Sequence, residues 1–266
     1  ADVLEAHAPS LLQSIAAVLA APTGRPFVVS AAAQALTCVA NHAPAAVAPA
    51  YGALMPLLRN WLEAAVRGRA AGAVCSLVEA FGSVAGAAGG AAIGADPSAE
   101  ADVRGLLSLL TSDALPASRA AYSFSAVDVR ESGHGLVHAT LAIFSSRLGA
   151  PFVPVLHTLL PPLLADAGLD PDFSISRVEA ADEHDDDDYE VSYTPEPSGR
   201  GLIRSRVNVT QTASKIGALR ALAAYAESQG EAFVPFVEST VTTVLPVVGF
   251  RFHPAARASA VDTLAA

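Results

Sequence analysis

Gly149-Ala150-Pro151-Phe152-Val153-Pro154 returns 81 residues later as Gly230-Glu231-Ala232-Phe233-Val234-Pro235. In both stretches a helical run ends at a glycine and a new apolar run opens with Phe-Val-Pro, so a C-terminal stop stands beside an N-terminal start. Each reads as a joint between two helices. His42-Ala43-Pro44-Ala45-Ala46-Val47-Ala48-Pro49-Ala50-Tyr51 is a looser third joint, without the glycine but with the proline and the aromatic. One unit used several times predicts a helical repeat protein.

Working outward, apolar residues at helical spacing predict a helix from Ser10 to Ala20 and an alanine-rich partner from Phe27 to Ala40. The next pair runs from Ala46 to Ala64, bent at Pro56, and from Arg67 to Val84. The tract Gly86-Ala87-Ala88-Gly89-Gly90-Ala91-Ala92 reads as a flexible connector. A third pair covers Ser98 to Ser112 and Ala126 to Leu148; a fourth begins at Phe152 to Ala167 and resumes at Val207 to Ser228. Phe233 to Phe250 opens a fifth, whose partner starts at Ala255. Between the halves of the fourth pair, residues 170–206 lose helical periodicity under Asp, Ser, Pro and Gly and read as a long polar insertion. The expectation is an all-α HEAT-repeat solenoid forming a single body over 1–266. Its repeats fall near 4–43, 45–88, 98–149, 151–229 with the insertion, and a truncated 232–266.

Composition narrows the function. Of the 266 residues, 52% are hydrophobic, enough for an extended core, and Arg, Asp, His, Gly or Pro breaks each apolar run before a membrane span is reached. No membrane insertion is expected. The start at Ala1 without an initiator Met and the stop within a helical pattern at Ala266 suggest an excerpt of a longer chain. Cys38 and Cys75 each fall in an apolar helical pattern, where buried free thiols and a reducing compartment are expected.

The net charge of −10 is unevenly placed. Asp182, Glu183, Asp185, Asp186, Asp187, Asp188 and Glu190 put seven carboxylates into nine residues of the insertion. That run opposes direct nucleic-acid binding and favours basic partners, by an attraction that salt weakens. A solvated charge run is the bland alternative. The spacing of a calcium loop is absent. Glu131, His134 and His138 have helical spacing suited to metal ligands, but Gly133 and Gly135 flank His134 and no fourth ligand is near, so neither a metal nor a cofactor is expected. Ser132-Gly133-His134-Gly135 lacks a third catalytic member. No enzyme is expected.

Two stretches carry a family resemblance. The first is Asp128-Val129-Arg130-Glu131 through Phe152-Val153-Pro154-Val155-Leu156 to Leu159-Leu160-Pro161-Pro162-Leu163-Leu164. The second comprises Lys215-Ile216-Gly217-Ala218-Leu219-Arg220, Ala232-Phe233-Val234-Pro235-Phe236 and His253-Pro254-Ala255-Ala256-Arg257-Ala258-Ser259-Ala260. Together they resemble the middle of the importin-β (karyopherin-β) family of nuclear transport receptors, in its importin-4 and importin-5 type. Val155 and Phe236 stand where the family has Tyr, and Ile216 where it has Glu.

The resemblance implies a receptor moving between cytoplasm and nucleus through the nuclear pore. It would bind basic cargo with nuclear localisation signals, such as histones or ribosomal proteins, together with Ran-GTP and Phe-Gly-repeat nucleoporins. Among Tyr51, Phe152, Phe233 and Phe236, core packing competes with a Phe-Gly pocket. Arg130 with Glu131, and Arg257 near Asp262, are expected to stabilise the stack of repeats. The rivals are a HEAT scaffold, such as a phosphatase scaffold subunit, and a helical-repeat enzyme, such as a chromophore lyase.

Overall fold

A computed structural model of the chain describes residues 2–21, 25–110, 133–178, 189–195, 201–251 and 253–266. Twelve α-helices are found there: α1 (Asp2–Ala20), α2 (Pro26–His42), α3 (Pro44–Val47), α4 (Tyr51–Arg67), α5 (Ala71–Ala88), α6 (Gly90–Gly94), α7 (Ala99–Leu109), α8 (Gly133–Leu148), α9 (Val153–Gly168), α10 (Val209–Gln229), α11 (Val234–Val244) and α12 (Pro254–Ala265). The long ones pair in succession, α1 with α2, α4 with α5, α7 with α8, α9 with α10 and α11 with α12. Within the layer of second helices, α2 packs on α5, α5 on α8, α8 on α10 and α10 on α12. The result is an all-α solenoid, whose core runs as one seam between two helical layers.

Both joints have the same backbone. Gly149 (φ 61°) and Gly230 (φ 51°) take the left-handed conformation that a side chain would strain. Each leads into a 3₁₀ turn, Ala150–Phe152 or Gly230–Phe233, and then a helix with proline in its first turn. Phe152 (0% exposed) and Phe233 (3%) plug the core below their turns. The joints are also tied together: the Gln229 amide donates to Ser145 O at 2.8 Å and to Ser145 Oγ at 2.7 Å, while Ser145 and Ser228 hydroxyls meet at 2.8 Å. The same signals that stop one helix and start the next thus set the stacking of neighbouring pairs.

The candidate outer-pocket aromatics lie mostly inside. Tyr51, Phe152 and Phe233 are buried, and Phe236 packs edge-on against His157 with ring centroids 4.9 Å apart. Arg257 donates to Phe250 O within its own helix pair, at 2.9 Å, rather than stacking on Asp262. The Arg130–Glu131 segment lies outside the described residues. Cys75 is half-buried but Cys38 is exposed, against the expectation of two buried thiols.

The Gly/Ala tract is not a loose connector. α5 continues through Ala88, and after Gly89 (φ 79°) the chain re-enters helix as α6. Glycine lets α8 approach: a Cβ at Gly82 would lie 2.7 Å from Thr140 Oγ1, and one at Gly90 would lie 3.0 Å from Arg147 O. Arg147 in turn donates to Gly86 O at 2.9 Å. Composition without side-chain bulk here means close helix packing.

Thr140 cannot step aside freely, since it is buried and its hydroxyl donates to Val78 O at 3.1 Å. Gly82→Ala is therefore expected to cost about 1–3 kcal/mol by overpacking, despite alanine's helix propensity. Gly105→Ala, with open space around it, should gain up to about 1 kcal/mol. Urea unfolding of the two variants distinguishes packing from propensity.

Three described helical stretches reach the length and apolarity of a membrane span, Ala71–Ala88, Ala150–Gly168 and Gln211–Gly249, which corrects the expectation that none would. The first is α5 itself, 56% buried inside the protein, with α2, α4 and α8 against it. Its apolar side chains are spent on neighbouring helices. The third runs across the Gly230 joint and is not one rod.

Candidate partner-binding site

The insertion between α9 and α10 rests on a hydrogen-bonded base. Lys215 is 4% exposed; its Nζ donates to Ala167 O at 2.7 Å and to Leu169 O at 2.8 Å, which satisfies carbonyls at the end of α9. Burial lowers its pKa while Asp170 opposes the shift. Asn208 caps α10 by accepting from Gln211 N at 2.9 Å. Its own N–H donates to Asp172 O at 2.9 Å, and Asp172 N–H donates to Gln211 Oε1 at 2.6 Å. Tyr189 Oη closes the base on Asp172 Oδ2 at 2.7 Å. Both ends of the insertion are thereby fixed to the solenoid. Lys215→Met should keep the volume but orphan the α9 carbonyls, costing about 1–3 kcal/mol. The loss should appear as faster amide exchange at 165–172 before any change elsewhere.

Above the base the chain is not a plain polar loop, as its composition led us to expect. It forms strands β1 (Phe173–Val178), β2 (Tyr189–Pro195) and β3 (Leu202–Asn208), with β3 in the centre and antiparallel to both neighbours. The pairing Arg206↔Ser174 and Arg204↔Ser176 on one side, and Arg206↔Val191 and Arg204↔Tyr193 on the other, sets the faces. One face carries Arg204 and Arg206 with Tyr189, Val191 and Tyr193, all partly covered, and the Arg206 guanidinium lies 4.2 Å from the centroid of the Tyr189 ring. The other carries Glu190, Ser192 and Thr194, all exposed, and Ile175, 62% exposed. The alternation of Tyr189-Glu190-Val191-Ser192-Tyr193-Thr194 was a legible strand signal.

Of the acidic candidates, Glu190 is placed on β2, exposed, on the face opposite Arg204 and Arg206. Asp182, Glu183, Asp185, Asp186, Asp187 and Asp188 lie outside the described residues. In the sequence the segment that carries them lies between β1 and β2.

A small pocket of about 50 Å³ opens nearby, lined by His134, His138, Asp166, Ser214 and the small residues Gly135, Ala213, Gly217 and Ala218. Burial lowers the pKa of His134 and raises that of Asp166, each partly offset by the other's charge. His138 is committed to structure: its Nδ1 lies 3.1 Å from Tyr225 Oη, and burial pushes its pKa down to about 4. Among the described residues no three His, Cys, Asp or Glu side chains converge as metal ligands. Glu131, the third residue of that spacing, lies outside them.

The geometry defines an α-solenoid of stacked helix pairs with a stranded, charged insertion clamped into one pair. Solved structures of the karyopherin Kap121p are similar to it. Kap121p bound to RanGTP superposes with a TM-score of 0.73 at 20% identity over 98% of this chain and 23% of that one. Kap121p bound to Nup53p and Kap121p bound to Pho4p each give 0.69 at 20% identity, over 99% of this chain and 23% of theirs. This chain thus has the karyopherin fold and spans about a quarter of the length of those structures. No protein-family model and no curated protein matches its sequence.

Proposed function

We propose that the chain is a segment of an importin-β-family nuclear transport receptor that carries basic cargo and has no chemistry of its own. The observation that carries this reading is the insertion: its sequence carries an acidic run, and it falls between two like joints of a solenoid with the karyopherin fold. Such a run attracts lysine- and arginine-rich segments at long range, and the stacked helices supply an extended surface for them. Nuclear localisation signals, histones and ribosomal proteins have that chemistry. Binding of Ran-GTP and of Phe-Gly nucleoporins, and movement between cytoplasm and nucleus through the pore, follow from the same reading. The solved neighbours bound to RanGTP and to Nup53p support it.

Pull-down from defined components tests the proposal. The longest available chain containing these residues should retain Ran loaded with GTP in preference to Ran loaded with GDP, and should retain a Phe-Gly repeat segment. Failure to retain either would sink the transport reading. A phosphatase co-purifying in stoichiometric amount would favour the scaffold alternative instead.

A further inference from the structure

The chain carries 26 carboxylate side chains against 16 Lys and Arg, yet its turn from α4 to α5 reads Arg67-Gly68-Arg69. α4 ends in a Schellman closure, in which Arg69 N–H donates to Val66 O at 3.1 Å and Ala70 N–H donates to Ala65 O at 3.0 Å. That closure needs a left-handed residue just after the helix, where glycine is usual. Gly68 stands one position too early, at φ −80°, and Arg69 takes φ 51° in its place. Arg69 is the one non-glycine residue at positive φ among the described residues. Strain of that kind collects at functional positions.

Two further arginines and an aromatic side chain stand beside it. Ser30, in the second turn of α2, meets Ser76, in the second turn of α5, at 2.7 Å, so the two helices start side by side. Arg25, the residue before α2, therefore lies one helix spacing, about 8–10 Å, from the start of α5. Trp61 Nε1 on α4 donates to Leu19 O on α1 at 2.6 Å and fixes the preceding turn alongside. Arg25, Arg67 and Arg69 are all exposed, and none of their side chains makes a hydrogen bond or ion pair among the described residues. Glu63 is the sole acidic residue within eight positions of any of the three, and neither α2 nor α5 has an acidic residue in its first turn. Phe27, two residues after Arg25, is 67% exposed, the most exposed large hydrophobic side chain among the described residues.

We propose that Arg25, Phe27, Arg67 and Arg69 form a docking surface for an acidic protein segment with an apolar side chain among its carboxylates. Arginine forks take carboxylates in pairs, and an aromatic beside them supplies the apolar anchor of an interface. A nucleic acid fits less well, because the net charge of −10 repels a long polyanion, whereas a short acidic segment meets only the local positive field. The surface has the opposite sign to the acidic run of the insertion. It does not rest on the transport reading, and loss of Ran or basic-cargo binding would leave it unchanged.

Fluorescence anisotropy of the whole chain with a short labelled peptide of Glu and Asp around a central Leu tests the surface. Arg25→Gln with Arg67→Gln should weaken binding about tenfold at low salt and far less at high salt. Phe27→Ala should weaken it about threefold at both, since its contribution is apolar. Arg69→Gly should weaken binding about threefold while the melting temperature stays level or rises, because glycine relieves the left-handed turn. A lower melting temperature with unchanged binding would make Arg69 a structural residue and overturn the proposal. So would no binding by the parent, equal binding by the arginine variants, or tighter binding of a single-stranded oligonucleotide of the same length than of the peptide. A dimer that the arginine substitutions dissolve, without peptide binding, would assign the surface to a second copy of the chain instead.

Discussion

Arg59→Ala should unfold with a loss of about 3 kcal/mol, at the lower end of what breaking a buried ion pair costs. The guanidinium of Arg59, on α4, reaches Asp102 on α7 through Nε at 2.5 Å and Nη2 at 2.7 Å, and Asp96 through Nη2 at 2.6 Å. Tyr51 Oη adds a fourth contact, to Asp96 Oδ2 at 3.3 Å. The Asp102 side chain is only 3% exposed, so truncating Arg59 leaves a carboxylate in the core without its countercharge, whereas Asp96 at 14% can recruit water. Burial already raises the pKa of Asp102, opposed by Arg59. Without Arg59 the carboxyl should protonate more readily, and the deficit should shrink as pH falls. Arg59→Met combined with Asp102→Leu should recover most of the loss, because an apolar pair has no charge to strand. Urea unfolding of the single and double variants measures the coupling.

The second large effect is acid sensitivity. His138 has a folded pKa of about 4 against an ordinary value of 6.5, with burial as the first cause and the nearby His134 charge as the second. A depressed histidine binds fewer protons folded than unfolded. Its contribution to stability is thus fully present above pH 6.5 and is lost as pH falls from 6.5 to about 4. The difference corresponds to about 3 kcal/mol at full development. His138→Gln, which can still meet the Tyr225 hydroxyl, should flatten the decline over that window. A variant whose stability falls as steeply as the parent's would show that other groups control it.

The joints were readable because their chemistry is local. Gly149 and Gly230 need a left-handed backbone, and the prolines that follow them need a first helical turn, so four residues state the whole geometry. Where the deciding partner is distant in the chain, the local sequence carries no such signal. Gly86 to Ala92 have the composition of a linker, and only Arg147, brought up by α8 against Gly86 and Gly90, shows them to be a packing face. Arg59 and Asp102 stand 43 positions apart, and no spacing rule links them.

The insertion shows both sides. Its acidic charge was evident and the alternation from Tyr189 to Thr194 marked one strand, but Leu202 to Asn208 lacks that alternation, since a sheet with little solenoid contact needs no strong apolar face. Lys215 looked like one letter of a family pattern. Its role is to hold the end of α9 at the base of that sheet.

The most direct measurement of the central claim is the affinity of a lysine-rich localisation peptide for the chain with and without the carboxylates of Asp182, Glu183 and Asp185 to Asp188, each replaced by its amide so that Tyr189 and β2 stay in place, titrated at two salt concentrations. We predict an unchanged helical spectrum, at least a tenfold loss of affinity at low salt on neutralisation, and a much smaller loss at high salt, where the attraction is screened. Equal affinity of the two chains at low salt would contradict the account and reduce the acidic run to a spacer.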